Sequence, residues 1–408
     1  MILSQLHRIC ASIVLVFAVG ASPCSQAAER ARDWGIPFQG IPGPLNAITD
    51  VPGVTVGQVT LISGTGALQK GKGPVRTGVT AILPRGNTFD PVFAGYSSFN
   101  GNGDMTGTHW ISESGFLEAP ILITNTGSVG VVRDAAWQWM ERKGFYTPFA
   151  KDYWYAYPLV AETYDGILND IDGQHVRAEH AFQALDKATS GPVPEGAVGG
   201  GTGMIAHQFK GGTGTSSRKV SGAVGNFTVG ILVQANYGTR DEMRIGGLPI
   251  GKELRDIPRA TVNPIPSSTR PLLARSGSVA IDRETGSIIV VIATDAPLDA
   301  LQCQRMARRA AVGLARMGGK GGNGSGDIFL AFATGNPGAF SNDKVTALKR
   351  FPNDAMDPLF TAVAEATEEA ILNALVAGRD MTGIQGNSVR GLPKTEVQKF
   401  LKLHGLMK

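Results

Sequence analysis

The stretch RETGSIIVVIATDAPL, Arg283 to Leu298, decides how the rest of the chain is read. Glu284-Thr285-Gly286 is a turn, and Ser287 to Thr294 is a strand. The strand is mostly β-branched and apolar, the composition of a strand covered on both faces. A serine hydroxyl opens it, directly after a glycine. Gly-Ser is ordinary turn chemistry. A serine that follows a flexible glycine can also attack the carbonyl in front of it. Both readings stand at this point.

Outward from this strand the chain alternates buried runs and glycine-rich loops. Downstream, Asp295-Ala296-Pro297 is expected to open a helix running to about Met317. Cys303, Met306, Ala307, Ala310, Leu314 and Met317 share one face of it, and Arg305, Arg308, Arg309 and Arg316 fall largely on the other. GGKGGNGSGD is a loop, IFLAFAT a strand, and Asp357-Pro358 starts a helix ending at Gly378. Upstream, FTVGILVQANYG reads as a strand, and APILITNTGSVGVVRDAAWQWMERKG as strand, loop and helix with Gly144 as the stop. HAFQALDKATSG is expected to be a helix ending at Gly191. Arg30 to Asn46 has the composition of a surface arm, and Thr239 to Thr285 that of an exposed connector open to chain breakage. Strands followed by helices without regular βαβ alternation imply stacked sheet and helix layers in one large α/β domain.

The 408 residues are 42% hydrophobic and 18% charged, ample for a large core. The net charge of +4 is small, and no Lys/Arg cluster alternates with aromatics, which excludes a nucleic-acid partner. Residues 1–28 read as a signal peptide: Arg8, an apolar run from Ile9 to Val19, then small residues around Ala27 and Ala28. The run is short for a membrane span. A periplasmic or secreted protein is therefore expected, with no membrane association once the leader is removed. Cleavage removes Cys10 and Cys24 and leaves Cys303, so no internal disulfide is expected.

Several chemistries lack their residues. There is no HExxH and no CxxC, and His109, His175, His180, His207 and His404 are scattered, so no metal is expected. GGLPIGKE, Gly246 to Glu253, fits GxxxxGK but carries Glu253 where Ser or Thr must bind magnesium, and a hairpin turn is the better reading. GGGTGM at Gly199 lacks the strand-then-helix setting of a dinucleotide site. No GxSxG elbow is present. NGSGD sets Ser325 and Asp327 at alternate positions; a hydroxyl beside a carboxylate can relay a proton, and the same residues can form a plain turn.

Nine stretches together change this balance: GPLNAITDVPGVTVG at Gly43, FNGNGDMTG at Phe99, ITNTGSVGVVRDA at Ile123, AETYDGILNDIDG at Ala161, AVGGGTGM at Ala197, GTSSRKV at Gly214, GILVQANYG at Gly230, GSIIVVIATDAPL at Gly286 and GGNGSGDIFLAF at Gly321. In this order the chain resembles the family of β-aminopeptidases and L-aminopeptidase/D-esterases, self-processing hydrolases with an N-terminal serine. The resemblance implies a four-layer αββα sandwich, similar to the N-terminal-nucleophile hydrolases but connected differently. It implies self-cleavage between Gly286 and Ser287, giving subunits 29–286 and 287–408 that together form the one domain. Ser287 would then be both nucleophile and, through its freed α-amine, base. Ser325 and Asp327 match the residues that support that amine and hydroxyl. Asn236 matches the amide that stabilises the oxyanion, Tyr164 a hydroxyl near it, and Glu162 an acid that receives the substrate's ammonium.

The implied reaction removes small N-terminal residues (Gly, Ala, D-Ala or β-amino acids) from short peptides, amides and esters without a cofactor. A tetramer of the two-subunit unit is the implied assembly. A hydrolase of non-peptide oligoamides and an ornithine acetyltransferase-like acyl transferase are the alternatives. Both favour threonine where this chain has Ser287, and the transferase would be cytoplasmic.

Overall fold

A computed structural model describes residues 29–145, 147–150, 153–264 and 286–407. The leader, the Glu284-Thr285 turn and the later part of the connector lie outside the described residues. The strand read as buried on both faces, β9 (Ser287–Thr294), is fully buried and lies near the centre of a six-stranded sheet. That sheet runs β7 (Gly212–Gly222), β8 (Gly225–Asn236), β9, β10 (Gly326–Ala333), β3 (Val92–Gly101) and β4 (Phe116–Leu117). A second sheet runs β1 (Thr55–Ser63), β2 (Val75–Leu83), β5 (Ile121–Asn125) and β6 (Leu159–Thr163).

Side chains alternate along β9 with period two, and each set has its own core. Ile289, Val291 and Ala293 meet Ile82, Ile123, Leu159 and Leu232 between the two sheets. Ile288, Val290 and Ile292 meet the helices α3 (Ala300–Arg316) and α4 (Asp357–Val376) through Met306, Leu314, Ile371 and Leu375. On the outer face of the smaller sheet, α1 (Val129–Lys143) and α2 (Ala178–Asp186) cover Leu122 and Val160 with Trp139, Met140 and Leu185. The order helix, sheet, sheet, helix is the αββα sandwich. Each buried aliphatic side chain contributes roughly 1.5–3 kcal/mol, so the three interlayer cores hold the layers together.

Strand directions gather the site. β9 and β10 are parallel neighbours, so both begin at the same edge of the sheet. β8 is antiparallel to β9 and ends there, with Asn236 paired to Ser287.

Four local expectations are corrected. The segment Arg30 to Asn46 is not a loose arm. Trp34 and Ile36 are buried in the core beneath α4, and Arg30 and Arg32 pair with Glu195 and Glu369. The first part of the connector is also packed: Met243, Ile245, Ile250 and Leu254 are buried, and buried Arg240 donates to the carbonyls of Gln208, Leu254 and Ile257. Helix α2 stops at Asp186 rather than Gly191. Helix α3 starts at Ala300, because Asp299 rather than Asp295 accepts from the Gln302 N–H as its N-cap. The hairpin reading of GGLPIGKE holds: Ile245 pairs with Leu248 across Gly246 and Gly247, both at positive φ.

Candidate active site

Ser287 is the first residue of β9 and is 6% exposed. Its Oγ accepts a hydrogen bond from the Gly326 N–H at 3.0 Å. The hydroxyl oxygen is thereby fixed, and its own proton is directed elsewhere. The preceding glycine has a steric reason. A Cβ on Gly286 would lie 1.8 Å from the Asn236 carbonyl oxygen and 2.8 Å from its carbon. No side chain fits between position 286 and the end of β8. Gly286→Ala is therefore expected to displace the carbonyl that Ser287 would attack. The uncut fraction, read by intact-mass spectrometry, should rise from near zero to most of the protein.

Asp327, one residue into β10, accepts from the Ile288 N–H at 3.1 Å through Oδ1, and its Oδ2 lies 3.0 Å from Ser325 Oγ. Ser325 Oγ is also 2.9 Å from the Gly322 carbonyl, so its single proton has two acceptors. Ser325 and Asp327 are fully buried. The NGSGD turn and the carboxylate thus converge on the start of β9.

The Asn236 amide is held at both ends. Its Oδ1 accepts from the Ile205 N–H at 2.8 Å, and its Nδ2 donates to the Tyr164 carbonyl at 3.0 Å. An amide nitrogen carries two hydrogens, so one remains for an oxyanion beside Ser287. Tyr164 joins the site through this backbone carbonyl. The residue is 37% exposed, with its hydroxyl set against Gly166.

Glu162 comes from β6 of the other sheet and is 5% exposed. It accepts from Thr126 Oγ1 and from the Asp104 N–H. Burial raises its pKa above the usual glutamate value, these two bonds pull it back, and the nearby Asp104 charge raises it further. A Cβ on Gly103 would lie 3.3 Å from Glu162 Oε1 and 3.1 Å from Gly326 Cα. Glycine at 103 therefore lets the Glu162 carboxylate and Gly326, the donor to Ser287 Oγ, share one wall.

Two buried groups with no role assigned from sequence hold this arrangement. Asp165, beside Tyr164, accepts from Asn125 and Asn169, and burial pushes its pKa up to about 6. Lys210 donates to the carbonyls of Met204 and Gly211, each at 2.8 Å, and burial pushes its pKa down to about 7. Lys210 thus pins the segment whose Ile205 N–H orients Asn236. No spacing rule marks a buried lysine in the sequence.

A buried serine at a strand start, an oriented amide and a supporting carboxylate are the parts of a serine hydrolase of the N-terminal-nucleophile kind. Residues 46–389 match the model of peptidase family S58, and the chain belongs to that family. It is 50% identical over 384 residues to the beta-peptidyl aminopeptidase BapA of Sphingosinicella microcystinivorans, covering 94% of each chain. It is 46% identical to the protein of the same name from Sphingosinicella xenopeptidilytica, covering 94% of this chain and 93% of that one. Among solved structures, a Burkholderia sp. beta-aminopeptidase superimposes with a TM-score of 0.79 at 48% identity, over 92% of this chain and 99% of that one. The L-aminopeptidase D-Ala-esterase/amidase of Ochrobactrum anthropi, described as a prototype serine aminopeptidase and a variant of the Ntn hydrolase fold, gives 0.81 at 42% identity, over 93% and 99%. The protein is a serine aminopeptidase of this fold.

Proposed function

We propose that this aminopeptidase is made as an inactive precursor, cuts itself before Ser287, and then releases small N-terminal residues, β-amino acids among them, from short peptides, amides and esters. The reading rests on one observation above all: a buried carboxylate, Glu162, stands across a side-chain-free wall from the residue that holds the Ser287 hydroxyl. A free α- or β-amine is the group such an anion receives. The names of the two Sphingosinicella relatives support β-residues as substrates.

In self-cleavage, Ser287 Oγ attacks the Gly286 carbonyl carbon. The carbon–nitrogen bond breaks, leaving an ester on Oγ and a free α-amine on Ser287. Water hydrolyses the ester, giving the Gly286 carboxylate and restoring the hydroxyl. In turnover, the α-amine accepts the Oγ proton as Oγ attacks the substrate carbonyl. An α-amine has a reference pKa of about 8, so a useful fraction is neutral near pH 7. The Asn236 N–H stabilises the tetrahedral oxyanion, a role worth about 3 kcal/mol in comparable sites. The amine then returns the proton to the leaving group, and water releases the acyl residue. Ser325 and Asp327 steady the amine and its proton. A periplasmic or secreted location and a tetramer of processed units complete the proposal.

The test is p-nitroaniline release from the anilides of β-alanine, L-alanine, D-alanine and glycine, and from their N-acetylated forms. Release from the free amines alone is expected; equal rates with the acetylated forms would refute amine recognition. Glu162→Gln should lower kcat/KM for free-amine substrates about 100-fold, ~2.7 kcal/mol, while self-cleavage proceeds, because the precursor brings no ammonium to that carboxylate. The pH dependence has a definite sign. The carboxylate binds an ammonium only when ionised, and its pKa is raised. KM for amine substrates should therefore climb as pH falls, beginning above the ordinary glutamate value of about 4.3. Glu162→Gln should abolish that limb.

A further inference from the structure

The FNGNGD segment touches both halves of the site and has been given no chemical role. Between Ser98, paired with Ile328, and Asn100, paired with Asp327, the strand β3 carries one extra residue, Phe99. This is a β-bulge opposite the supporting carboxylate, and bulges re-aim the side chains that follow them. Phe99 lies over Gly321, where a Cβ would sit 2.5 Å from its ring. Asn100 Nδ2 donates to the Ser325 carbonyl. Asn102 Nδ2 donates to the Gly324 carbonyl at 2.9 Å, and the Asn102 N–H donates to the Ser325 carbonyl at 3.2 Å. The segment thus grips the loop that carries Ser325 and the Gly326 N–H. Two residues on, the Asp104 N–H is bonded to Glu162 Oε1 at 3.1 Å. There is little slack between, since a Cβ on Gly326 would lie 2.5 Å from the Asn102 carbonyl oxygen and 2.7 Å from Gly103 Cα.

We propose that the segment Phe99 to Asp104 links the Glu162 carboxylate to the Ser325–Asp327 turn, and that Asn102 is the positioning residue carrying the link. The inference rests on Glu162 being the ammonium anchor. When a substrate ammonium engages Glu162, the carboxylate draws on the Asp104 N–H. The closely packed segment passes this to the Gly324 and Ser325 carbonyls, and so to the Gly326 N–H that holds the nucleophile. Binding energy from the amine is thereby spent on kcat rather than only on KM. Without an ammonium the same hydroxyl is present but less well aimed, and misplacement of about 1 Å at a reacting group costs on the order of 100-fold.

The experiment compares the p-nitrophenyl esters of alanine and of propionic acid, which differ in the amine. Each rate is divided by the spontaneous hydrolysis of the same ester and by the amount of cleaved chain. In the parent enzyme the alanine ester should exceed the propionate ester in kcat by about 10-fold or more, as expected of well-oriented reaction. Asn102→Ala should collapse that kcat ratio to within about 3-fold of unity while the preference in KM persists, the split expected when a transition-state contribution is lost. Asn102 is exposed, so the melting temperature should stay close to that of the parent. Asn102→Leu, similar in shape and without the donor, should behave alike and guards against a cavity effect.

Equal slowing of both esters would overturn the link and leave Asn102 as static support. An unchanged kcat ratio in Asn102→Ala, or a parental preference confined to KM, would overturn it as well. Retention of the parental preference in Glu162→Gln would remove both the ammonium anchor and the link. Loss of preference in Glu162→Gln with an intact kcat ratio in Asn102→Ala would remove the link alone.

Discussion

Ser287→Ala is expected to yield one uncut chain with no measurable turnover, and the parent two chains, the smaller beginning Ser-Ile-Ile-Val-Val. The substitution removes a single oxygen. That oxygen accepts from the Gly326 N–H, and the remainder of the residue sits in a strand packed on both faces. The fold therefore has little reason to change, and the melting temperature should stay within a few degrees. Two reactions need the same atom: attack on the Gly286 carbonyl and attack on substrate. Without the first, the α-amine is never freed, so the variant lacks both nucleophile and base. The expected loss is on the order of 10⁴-fold or greater. N-terminal sequencing and anilide release on the same preparation check it. A variant still cut between Gly286 and Ser287 would place the nucleophile elsewhere.

How far the sequence reached is set by which forces act locally. β9 could be read from its residues, because a run of seven apolar or β-branched positions after Ser287 has few places to go except between two layers. Helix α3 was readable from its two faces, and Gly144 ends α1 in the left-handed conformation that favours glycine. The glycine before Ser287 left a turn and an attack on the carbonyl equally open, only the family resemblance singled out Gly286-Ser287 as the expected cut, and the steric reason for that glycine was not legible. It is a distance to the Asn236 backbone, and Asn236 lies 50 positions before Gly286 in the numbering. The same gap in sequence hid the burial of Trp34 and the docking of Arg30 on Glu195. A polar, Pro/Gly-rich segment reads as surface unless its ion-pair partners are known. The site shows the same limit: Ser325 and Asp327 sit two apart in a recognisable pattern, whereas Thr126, Asp104 and Glu162 come together only because β5 and β6 pair and the FNGNGD segment turns back along their edge.

Asp327→Asn is expected to leave the fold and the cut chain intact while kcat falls about 100-fold, within the usual range for general acid–base support. The hydrogen bonds explain why the fold survives. An asparagine Oδ1 can still accept from the Ile288 N–H, as Asp327 Oδ1 does at 3.1 Å. Its Nδ2 would then face Ser325 Oγ, and that hydroxyl can turn its proton to the Gly322 carbonyl, 2.9 Å away, and accept instead. Both of these hydrogen bonds thus keep a donor and an acceptor. The negative charge one residue beyond the Ser287 nitrogen is lost. During turnover the α-amine gains the Oγ proton, and a neighbouring carboxylate stabilises the ammonium that forms. Without it, attack is harder at the transition state, while the substrate amine still has Glu162, so KM should change by no more than about 3-fold.

The pH profile adds a sign that a purely structural role would not produce. A carboxylate favours the protonated amine, so removing it lowers the amine pKa, and the acidic limb of kcat should move to lower pH even as the plateau drops. Asp327→Glu, which keeps the charge, should recover most of the plateau and leave that limb near its parental position. Kinetics on one alanine anilide across pH, using protein confirmed as cleaved, tests both variants. If Asp327→Asn turns over like the parent with an unmoved limb, the Ser287 amine takes its support from another group and the Ser325–Asp327 pair serves only to shape the turn.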